Sequence, residues 1–248
     1  MELQFDNKVV AITGAGHGFG LVIAEDFAAR GAAVYGTLAP GQPAPESISV
    51  RFSEVDLTDR EAASAWIADI ETKTCKSIDI LINNAGGVVG RQHEPIEGLS
   101  FEDWDAVVNI NLDATFTTCR AVARGMKRQG SGRIINISSN AGLRPSLTGV
   151  QAYTTSKHAV VGLTKQLAFE FGSHGVTVNC IAPGFFRSNP SSERQWQGYG
   201  DAGRAALVER IALKRLGAAK DISSACVFFA SELADYVTGQ VLSVDGGR

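Results

Sequence analysis

Short apolar runs that alternate with helix-like segments are the feature that most constrains how this chain folds. The first run, Lys8–Thr13 (KVVAIT), is followed by helical spacing of apolar residues over Gly18–Arg30, with Gly31 as a stop. The further apolar runs are Ala32–Thr37, Ser49–Val55, Ile78–Asn83, Arg133–Ser138, Val176–Ala182 and Gln240–Val244. Helical segments are predicted near 59–72, 101–129, 153–173 and 219–231.

This alternation predicts an α/β protein: a single doubly wound (Rossmann) domain over residues 1–248. Repeated strand–helix–strand units imply a parallel sheet of about seven strands with right-handed crossovers and helices on both faces. The strands are nearly continuous apolar runs, as expected where both faces are covered. Two long irregular segments are predicted, Leu38–Ser47 with three prolines, and Phe185 to about Gly203. Long loops in compact α/β domains tend to be functional.

Composition excludes several classes of protein. A net charge of −3 with 44% hydrophobic residues rules out intrinsic disorder, and the absence of a basic surplus argues against nucleic-acid binding. No run approaches the length of a membrane span, and the start (MELQFDNKVV) does not resemble a signal peptide, so a cytoplasmic protein is expected. The cysteines and histidines are scattered without metal-ligand spacing. We therefore expect no metal site, and buried free thiols.

A glycine-rich loop, Thr13–Gly20 (TGAGHGFG), joins the first predicted strand to the first helix. Glycines there allow a tight turn and a close approach of the backbone to a phosphate, and N–H groups at the helix N-terminus attract the negative charge. No Gly-Lys-Ser/Thr follows, which disfavours ATP hydrolysis. The strand–loop–helix context predicts a dinucleotide site.

Four polar residues are candidates for chemistry. Tyr153 and Lys157 are four positions apart on a predicted helix and so share a face. A neighbouring ammonium favours the phenolate and would lower the tyrosine pKa from its usual value of about 10, which suits a general acid/base. Ser139 follows a strand at the edge where α/β sheets bind ligands, with Ser138 as a rival. Asn111 is unfavourable in the middle of a predicted helix and invites a functional explanation.

The motifs, taken together and in order, resemble those of the short-chain dehydrogenase/reductase family, from Lys8 to Gly247. They are Thr-Gly-x-x-x-Gly-x-Gly, Asn83-Asn84-Ala85-Gly86, Asn111, Ser139, Tyr153-x-x-x-Lys157 and Pro183-Gly184. The chain is most similar to the bacterial 3-oxoacyl-carrier-protein reductase-like branch. The resemblance implies an NAD(P)-dependent oxidoreductase that interconverts a secondary alcohol and a ketone, on a small-molecule substrate, by hydride transfer.

The resemblance also implies residue roles. Tyr153 would be the general acid/base, Lys157 would lower its pKa and bind the nicotinamide ribose, and Ser139 would hold the substrate oxygen. Asn111 would kink its helix and anchor a water that relays protons. The cofactor-binding residues implied are Gly14, Gly16, His17, Gly18, Phe19, Gly20, Thr37, Leu38, Asp56, Leu57, Asn84, Ala85, Gly86, Tyr153, Lys157, Pro183, Gly184, Phe186 and Ser188.

The choice between NAD and NADP depends on the end of the second strand. NAD-preferring members carry an acid where this chain has Leu38, and NADP-preferring members place a cation in the glycine loop or just after that strand. The loop position is His17, and Leu38–Val50 contains no Lys or Arg. An unpaired phosphate dianion costs more than one lost ribose hydrogen bond, so the sequence favours NAD. A protonated His17 would reverse that preference.

The family places a substrate lid at about 185–215. Aromatic residues there favour a hydrophobic ketone or alcohol, unless the rings pack against the protein; they are Phe185, Phe186, Trp196 and Tyr199. Arg144 and Gln151 are candidate contacts to polar groups of the substrate, and Arg187 is a candidate contact to the cofactor or to an acidic substrate. The apolar C-terminal segment TGQVLSVDGGR implies, by resemblance, a homotetramer.

Two alternative functions remain open. An acyl-carrier-protein reductase requires a basic docking patch, for which the candidates are Arg124, Lys127, Arg128 and Arg133. A non-catalytic protein that senses the nicotinamide cofactor would have no need of the complete Asn–Ser–Tyr–Lys set.

Overall fold

The computed structural model describes residues 3–46, 49–91 and 93–248, and these form one seven-stranded sheet. Its order is β3-β2-β1-β4-β5-β6-β7, and each neighbouring pair is parallel. The strands are β1 Val9–Ile12, β2 Ala33–Leu38, β3 Val50–Glu54, β4 Ile80–Asn83, β5 Gly132–Ile137, β6 Val176–Pro183 and β7 Val241–Val244. The predicted doubly wound parallel sheet is confirmed, and each predicted apolar run contains most of a strand.

The helices cover both faces of this sheet. They are α1 Gly18–Ala29, α2 Arg60–Thr74, α3 Phe101–Val108, α4 Ala114–Gln129, α5 Gln151–Phe171, α6 Pro190–Gly198, α7 Gly200–Glu209 and α8 Ala219–Ala230. Asp59 is the N-cap of α2, and its side chain accepts hydrogen bonds from the N–H groups of Glu61 and Ala62. Among the described ranges, no helix is long and apolar enough to cross a membrane.

Alternate residues of the strands supply two separate cores. Val10 and Ile12 of β1 pack with α1 and α8, whereas Val9 and Ala11 pack with α2, α4 and α5. Successive side chains of a strand point to opposite faces, so apolar residues in a row are buried on both sides. This is why the strands read as continuous apolar runs.

The order of the strands reverses between β1 and β4. From β1 the sheet continues through β2 to β3 in one direction, and from β4 through β5 to β7 in the other. Ligands of open α/β sheets bind beyond the carboxyl ends of the strands at such a point. The glycine loop after β1 and the Asn84–Gly86 segment after β4 therefore meet at this edge.

Two predictions of local structure were wrong. The segment from Phe185 to about Gly203 is not irregular, because it contains α6 and the first turn of α7. The Asn189 side chain and Ser192 form a capping box around Pro190, so the polar residues that suggested a loop start a helix. Residues 101–129 are not one α-helix, since a π-helical turn, Asn109–Asp113, separates α3 from α4.

The first irregular segment matches its prediction as far as it is described. Residues 39–46 contain no helix, so β2 passes to β3 without one, and Ser47 lies outside the described residues. Cys119, Cys180 and Cys226 are buried free thiols, as predicted. Cys75 is exposed at the end of α2, where it adopts a left-handed conformation with φ 52°.

Candidate active site

A cleft of about 810 Å³ runs along the carboxyl edge of the sheet, from the end of β3 to the segment after β6. This volume lies within the range of small-molecule and cofactor sites. Predicted site residues line it; they are Gly14, His17, Gly18, Phe19, Thr37, Leu38, Asp56, Leu57, Asn84, Ala85, Gly86, Ser139, Tyr153, Lys157, Pro183, Gly184, Phe186 and Ser188. Gly16, Gly20 and Asn111 do not line it, and they support residues that do.

Thr37 binds the glycine loop through two hydrogen bonds. The Gly14 N–H donates to Thr37 Oγ1 at 2.8 Å, and the Ala15 N–H donates to the Thr37 carbonyl oxygen at 2.8 Å. Gly14 has φ +65°, a conformation that favours glycine. The buried Thr37 hydroxyl oxygen thus accepts a bond from the loop, where the sequence suggested a bond to the cofactor.

Asn84 connects the glycine loop to the end of β4. Its Nδ2 donates to the carbonyl oxygens of Thr13 and Gly14 at 3.1 and 3.0 Å. A Cβ on Gly20 would collide with the Gly14 carbonyl oxygen, and one on Gly16 with the Gln42 side chain. Gly20 therefore allows α1 to pack closely on the loop, and Gly16 allows Gln42 to cover it.

The N-terminus of α1 opens onto this cleft. In the described part of the chain His17, the N-cap, makes no side-chain capping hydrogen bond. The first N–H groups of α1 are therefore available to an acceptor from outside, and the helix dipole favours an anion there. A dinucleotide pyrophosphate fits this arrangement.

Tyr153, Ser139 and Lys157 converge at the ends of β5 and α5. Tyr153 and Ser139 are neighbours in the lining of the cleft. Lys157 Nζ lies 5.7 Å from the centre of the Tyr153 ring and donates to the Ile137 carbonyl oxygen at 3.0 Å. Lys157 is only 4% exposed, although Nζ faces the cleft from beneath.

Burial dominates the protonation of this pair. Burial raises the pKa of Tyr153, while the neighbouring Ser139 side chain lowers it less. Burial also lowers the pKa of Lys157 to about 8. The predicted lowering of the tyrosine pKa is therefore wrong for the protein without cofactor, because desolvation of the phenolate outweighs the distant ammonium.

The structure separates the two candidate serines. Ser138 Oγ is buried and donates to the Lys157 carbonyl oxygen at 2.9 Å, which fixes α5 against the end of β5. Ser139 Oγ accepts from the Ala141 N–H at 3.1 Å and lies close enough to Tyr153 to lower its pKa. Ser139 is thus the serine beside the tyrosine, as the sequence predicted.

Asn111 lies in the π-helical turn behind Lys157 and is fully buried. Its Nδ2 donates to the carbonyl oxygens of Val107 and Gly87 at 2.8 and 2.7 Å, and its Oδ1 accepts from the Gly87 N–H at 3.0 Å. A Cβ on Gly86 would lie 2.5 Å from Asn111 Oδ1 and 3.3 Å from Lys157 Nζ. Gly86 therefore allows the amide and the ammonium to approach one place, and the expected distortion of the helix is confirmed.

Comparison with known proteins agrees with this geometry. Residues 14–248 match the family model described as "Enoyl-(Acyl carrier protein) reductase". The 3-oxoacyl-[acyl-carrier-protein] reductase of Vibrio harveyi is 36% identical over 251 residues, covering 99% of this chain and 98% of that protein. The chain belongs to the short-chain dehydrogenase/reductase family.

Other relatives of this dehydrogenase/reductase have varied names. The 2-dehydro-3-deoxy-D-gluconate 5-dehydrogenase of Bacillus subtilis is 37% identical over 248 residues, covering 97% of this chain and 94% of that protein. The crystal structure of levodione reductase has a TM-score of 0.89 at 30% identity and covers 98% of both chains. The aldohexose dehydrogenase of Thermoplasma acidophilum gives 0.87 at 29%, covering 98% and 94%. The chain is thus an NAD(P)-dependent oxidoreductase of alcohols and ketones, as predicted.

In this dehydrogenase/reductase the aromatic residues of the predicted lid pack mainly with one another. The Phe185 ring lies 6.1 Å from Trp196 and 5.8 Å from Tyr199, centre to centre. Phe186 is buried edge-on against Phe19. Phe185 and Phe186 line the cleft, whereas Trp196 and Tyr199 are not among its lining residues. Half of the predicted aromatic lining is therefore packing.

The three candidate polar contacts to the substrate also differ in whether they line the cleft. Arg187 pairs with Glu193 through two bonds of 2.8 and 3.1 Å and lies outside the cleft lining. Gln151 Nε2 donates to the Glu94 carbonyl oxygen and is also outside it. Arg144 lines the cleft. The structure supports Arg144 and not the other two.

Several lining residues were missed by sequence reasoning. They are Gln42, the Val88–Gly90 segment, Leu147, Arg194, Gln195 and Arg248. Gln42 Oε1 accepts from the Ala39 N–H at 3.2 Å, which places its amide over Gly16. These residues lie in loops and in α6, where no periodicity marks a face. The one available signal was a charged residue beside the aromatic segment, and the sequence suggested Arg187 for that contact instead of Arg194.

The candidate docking patch for an acyl carrier protein is partly neutralised, since two of its four cations form ion pairs. Lys127 pairs with Glu170, and Arg133 pairs with Asp235. Arg128 donates to Ser77 Oγ at 3.3 Å.

Over the described ranges, no group of three or more His, Cys, Asp or Glu is arranged to hold a metal ion.

Proposed function

We propose that the four converging side chains carry out alcohol–ketone interconversion, with Tyr153 as the general acid/base. The observation that carries this proposal is that Ser139, Tyr153 and the buried Lys157 meet in one cleft, with Lys157 Nζ 5.7 Å from the centre of the Tyr153 ring. A general acid must reach the proton acceptor within hydrogen-bond distance. A substrate oxygen between Ser139 and Tyr153 would contact both hydroxyl groups.

The cofactor would lie along the carboxyl edge of the sheet. The glycine loop and the first turn of α1 would hold the pyrophosphate, and Asp56 and Leu57 after β3 would lie beside the adenine. Pro183, Gly184 and Phe186 after β6 would lie beside the nicotinamide. When bound, the nicotinamide supplies or accepts the hydride at the substrate carbon.

Tyr153 would move the proton. In ketone reduction its hydroxyl protonates the substrate oxygen, and in alcohol oxidation its phenolate accepts the hydroxyl proton. With its pKa lowered to about 8, Lys157 is still mostly protonated at neutral pH, and its charge favours the phenolate. Ser139 would orient the substrate oxygen, and Asn111, bonded to both peptide groups of Gly87, would anchor the water that returns protons.

Replacement of Tyr153 by Phe tests the proposal. Tyr153→Phe keeps the ring and removes the hydroxyl, so we expect turnover to fall about a hundredfold or more. The affinity for NADH, followed by nicotinamide fluorescence, should change little. Unchanged turnover would refute the assignment. A wild-type protein that binds the cofactor but converts none of a broad panel of alcohols and ketones would instead be the non-catalytic sensor.

We propose NAD as the preferred cofactor. The cleft end formed by Thr37, Leu38, Ala39, Pro40 and Gln42 offers no cation, and His17 is the one basic side chain in the glycine loop. Parallel titrations with NADH and NADPH are expected to show tighter binding of NADH. Tight binding of NADPH alone would show that His17 suffices for the extra phosphate.

We further propose a homotetramer. Leu242 in the edge strand β7 is 40% exposed, and Leu233 and Tyr236 just before it are more exposed still. Exposed apolar side chains beside an unpaired strand edge favour association with another chain.

Reduction of a ketone on an acyl carrier protein, the activity in the name of the Vibrio relative, would use the same four side chains. The partly neutralised basic patch gives it no added support.

A further inference from the structure

The charges along the cleft are unevenly distributed. Arg144, five residues after Ser139, and Arg194, on α6, line the same cleft as Tyr153. Among the described residues that line it, the one carboxylate is Asp56, which follows β3. β3 and β5 are four strand spacings apart, which is roughly 19 Å. The half of the cleft around Tyr153 therefore carries arginines and no lining carboxylate.

Both arginines lack a strong partner within the described chain. Arg194 makes no ion pair and no side-chain hydrogen bond there, although it is exposed to the cleft. Arg144 comes within 3.6 Å of Asp245 Oδ2, which is too long for a hydrogen bond. Asp245 already accepts from Asn140 Nδ2 and from the Gly247 N–H, each at 3.0 Å.

Two nearby arginines outside the cleft lining are paired. Arg187 is held by both oxygens of Glu193. Arg204 contacts Asp201 and donates to the Gln197 side chain and to the Trp196 carbonyl oxygen. Arg210 at the end of α7 has no charged partner among the described residues, but it is exposed outside the cleft lining. Arg194 is therefore set apart by its place in the cleft and not by its lack of a partner.

We propose that the substrate carries a carboxylate, so that this enzyme acts on a small hydroxy acid or oxo acid. This inference rests on the proposed function, since it places the reacting carbon beside Tyr153 and Ser139. A guanidinium presents paired N–H donors in a fork that matches a carboxylate. The carboxylate would contact Arg144 and Arg194, and the carbon chain would contact Val88, Val89 and Leu147, which line the same cleft.

The first turn of α6 also lines the cleft, with Pro190, Ser191 and Ser192. Its capping box already binds the Ser192 N–H, and Pro190 has none, so the Ser191 N–H is the donor that this turn can offer an anion. The neighbouring carboxylate, Glu193, is turned away to Arg187.

The experiment compares acids with their methyl esters. Probes are short aliphatic hydroxy acids, from hydroxypropanoate to hydroxyhexanoate, each also tested as the ester, with nicotinamide absorbance as the readout. We expect a higher kcat/KM for the acid in the wild type. Arg144→Gln and Arg194→Gln should each lower the acid-to-ester ratio of kcat/KM by about tenfold, because each removes one charge-assisted contact. Arg187→Gln is the matched control and should leave the ratio unchanged.

Each further outcome counts against a particular claim. Equal turnover of acid and ester, or a ratio that neither substitution changes, would overturn the carboxylate proposal and leave the proposed function standing. If the substitutions weaken NADH binding and leave the ratio intact, the arginines serve the cofactor phosphates, and the proposal is equally overturned. No turnover of acids, esters or neutral ketones would contradict the proposed function, and this inference with it.

Discussion

Tyr153 and Lys157 show that the reactive side chains of this protein are placed at a cost in stability. Lys157 is buried, and the contact that the structure gives its ammonium is a single carbonyl oxygen, that of Ile137. A buried cation without a carboxylate partner is unfavourable, which is why its pKa falls to about 8. Such local conflicts are expected at functional sites. In the proposed mechanism this charge would stabilise the tyrosinate during catalysis.

Replacement of Lys157 by Met tests this cost through the pH dependence of the free energy of unfolding. The unfolded chain binds the lysine proton up to about pH 10.5, whereas the folded protein loses it near pH 8. Between these values the unfolded state holds more protons, so the stability of the wild type rises with pH relative to Lys157→Met. We expect the difference in free energy of unfolding to change by on the order of 3 kcal/mol.

Urea unfolding at a series of pH values, without cofactor, measures this difference. The buried thiols of Cys119 and Cys180 have raised pKa values, which lowers the stability of both proteins at high pH. Because both proteins contain them, the comparison removes most of their effect. A difference that stays flat, or that changes in favour of the variant, would show that Lys157 is not held as a strained cation.

The sequence predicted which side chains form the site more successfully than which groups those side chains contact. Tyr153, Lys157 and Ser139 meet as the motif implied. A spacing of four residues places Tyr153 and Lys157 on one face of α5, and Ser139 follows the end of β5. Their protonation was not predictable, because desolvation depends on the surrounding chain. Thr37 shows the same limit: its place beside the loop was predicted, but its acceptor role for the Gly14 N–H was not.

Among helices and strands, a buried polar network fixes the elements that carry the site. Asn83 Nδ2 donates to Asn136 Oδ1 at 2.9 Å, which joins β4 to β5. Thr118 of α4 donates to Asn83 Oδ1, and Asn136 donates to Thr164 of α5 at 2.9 Å. A buried network whose members are all paired specifies one arrangement. Asn84 and Ser138, which begin the two site loops, thereby keep a fixed separation.

The contact between α1 and the glycine loop predicts the effect of a single methyl group. Gly20→Ala would place a Cβ against the backbone oxygen of Gly14, so α1 and the loop must separate. We expect stability to fall by about 1–3 kcal/mol. NADH affinity should fall at least about tenfold, because the first-turn N–H groups move away from the phosphate.

Gly162→Ala is the matched control for that substitution. Gly162 is exposed within α5, and a Cβ there meets no atom within 4 Å. The same change should raise stability by about 0.5–1 kcal/mol, because alanine favours helix, and leave NADH binding intact. Thermal unfolding and fluorescence titration measure both effects. A Gly20→Ala protein that binds NADH as the wild type does would contradict the close packing described here.

Helices and strands were predictable where burial gives their apolar residues a regular pattern, and they were missed where it does not. The strands were found because both faces are covered, so their residues are uniformly apolar. Helix α6 was missed because none of its residues is buried, and its capping residues also occur in loops. The π-helical turn at Asn109–Asp113 was visible only as an unfavourable asparagine. A single extra residue in a helix leaves little trace in its apolar pattern.

For the chain as a whole, the sheet has one edge at β3 and the other at β7. The parallel sheet of about seven strands and much of the cleft lining followed from the alternation of elements and from the family motifs, whereas the lining residues in the loops and in α6 did not. Assembly is different, because the residues that mediate it are ordinary surface residues in the isolated chain. The exposed apolar side chains near β7 are the structural observation that bears on it.

These side chains give the tetramer a direct test. The wild type should have the mass of four chains by size-exclusion chromatography with light scattering. Leu242→Glu places a charge on the edge strand, where burial against another chain would leave it unpaired, so a smaller assembly is expected. Ile96 follows β4 and is 66% exposed, so Ile96→Glu is a control that should keep the wild-type mass. A wild-type mass of one chain would refute the tetramer, and a smaller assembly in both variants would show that β7 is not the determining edge.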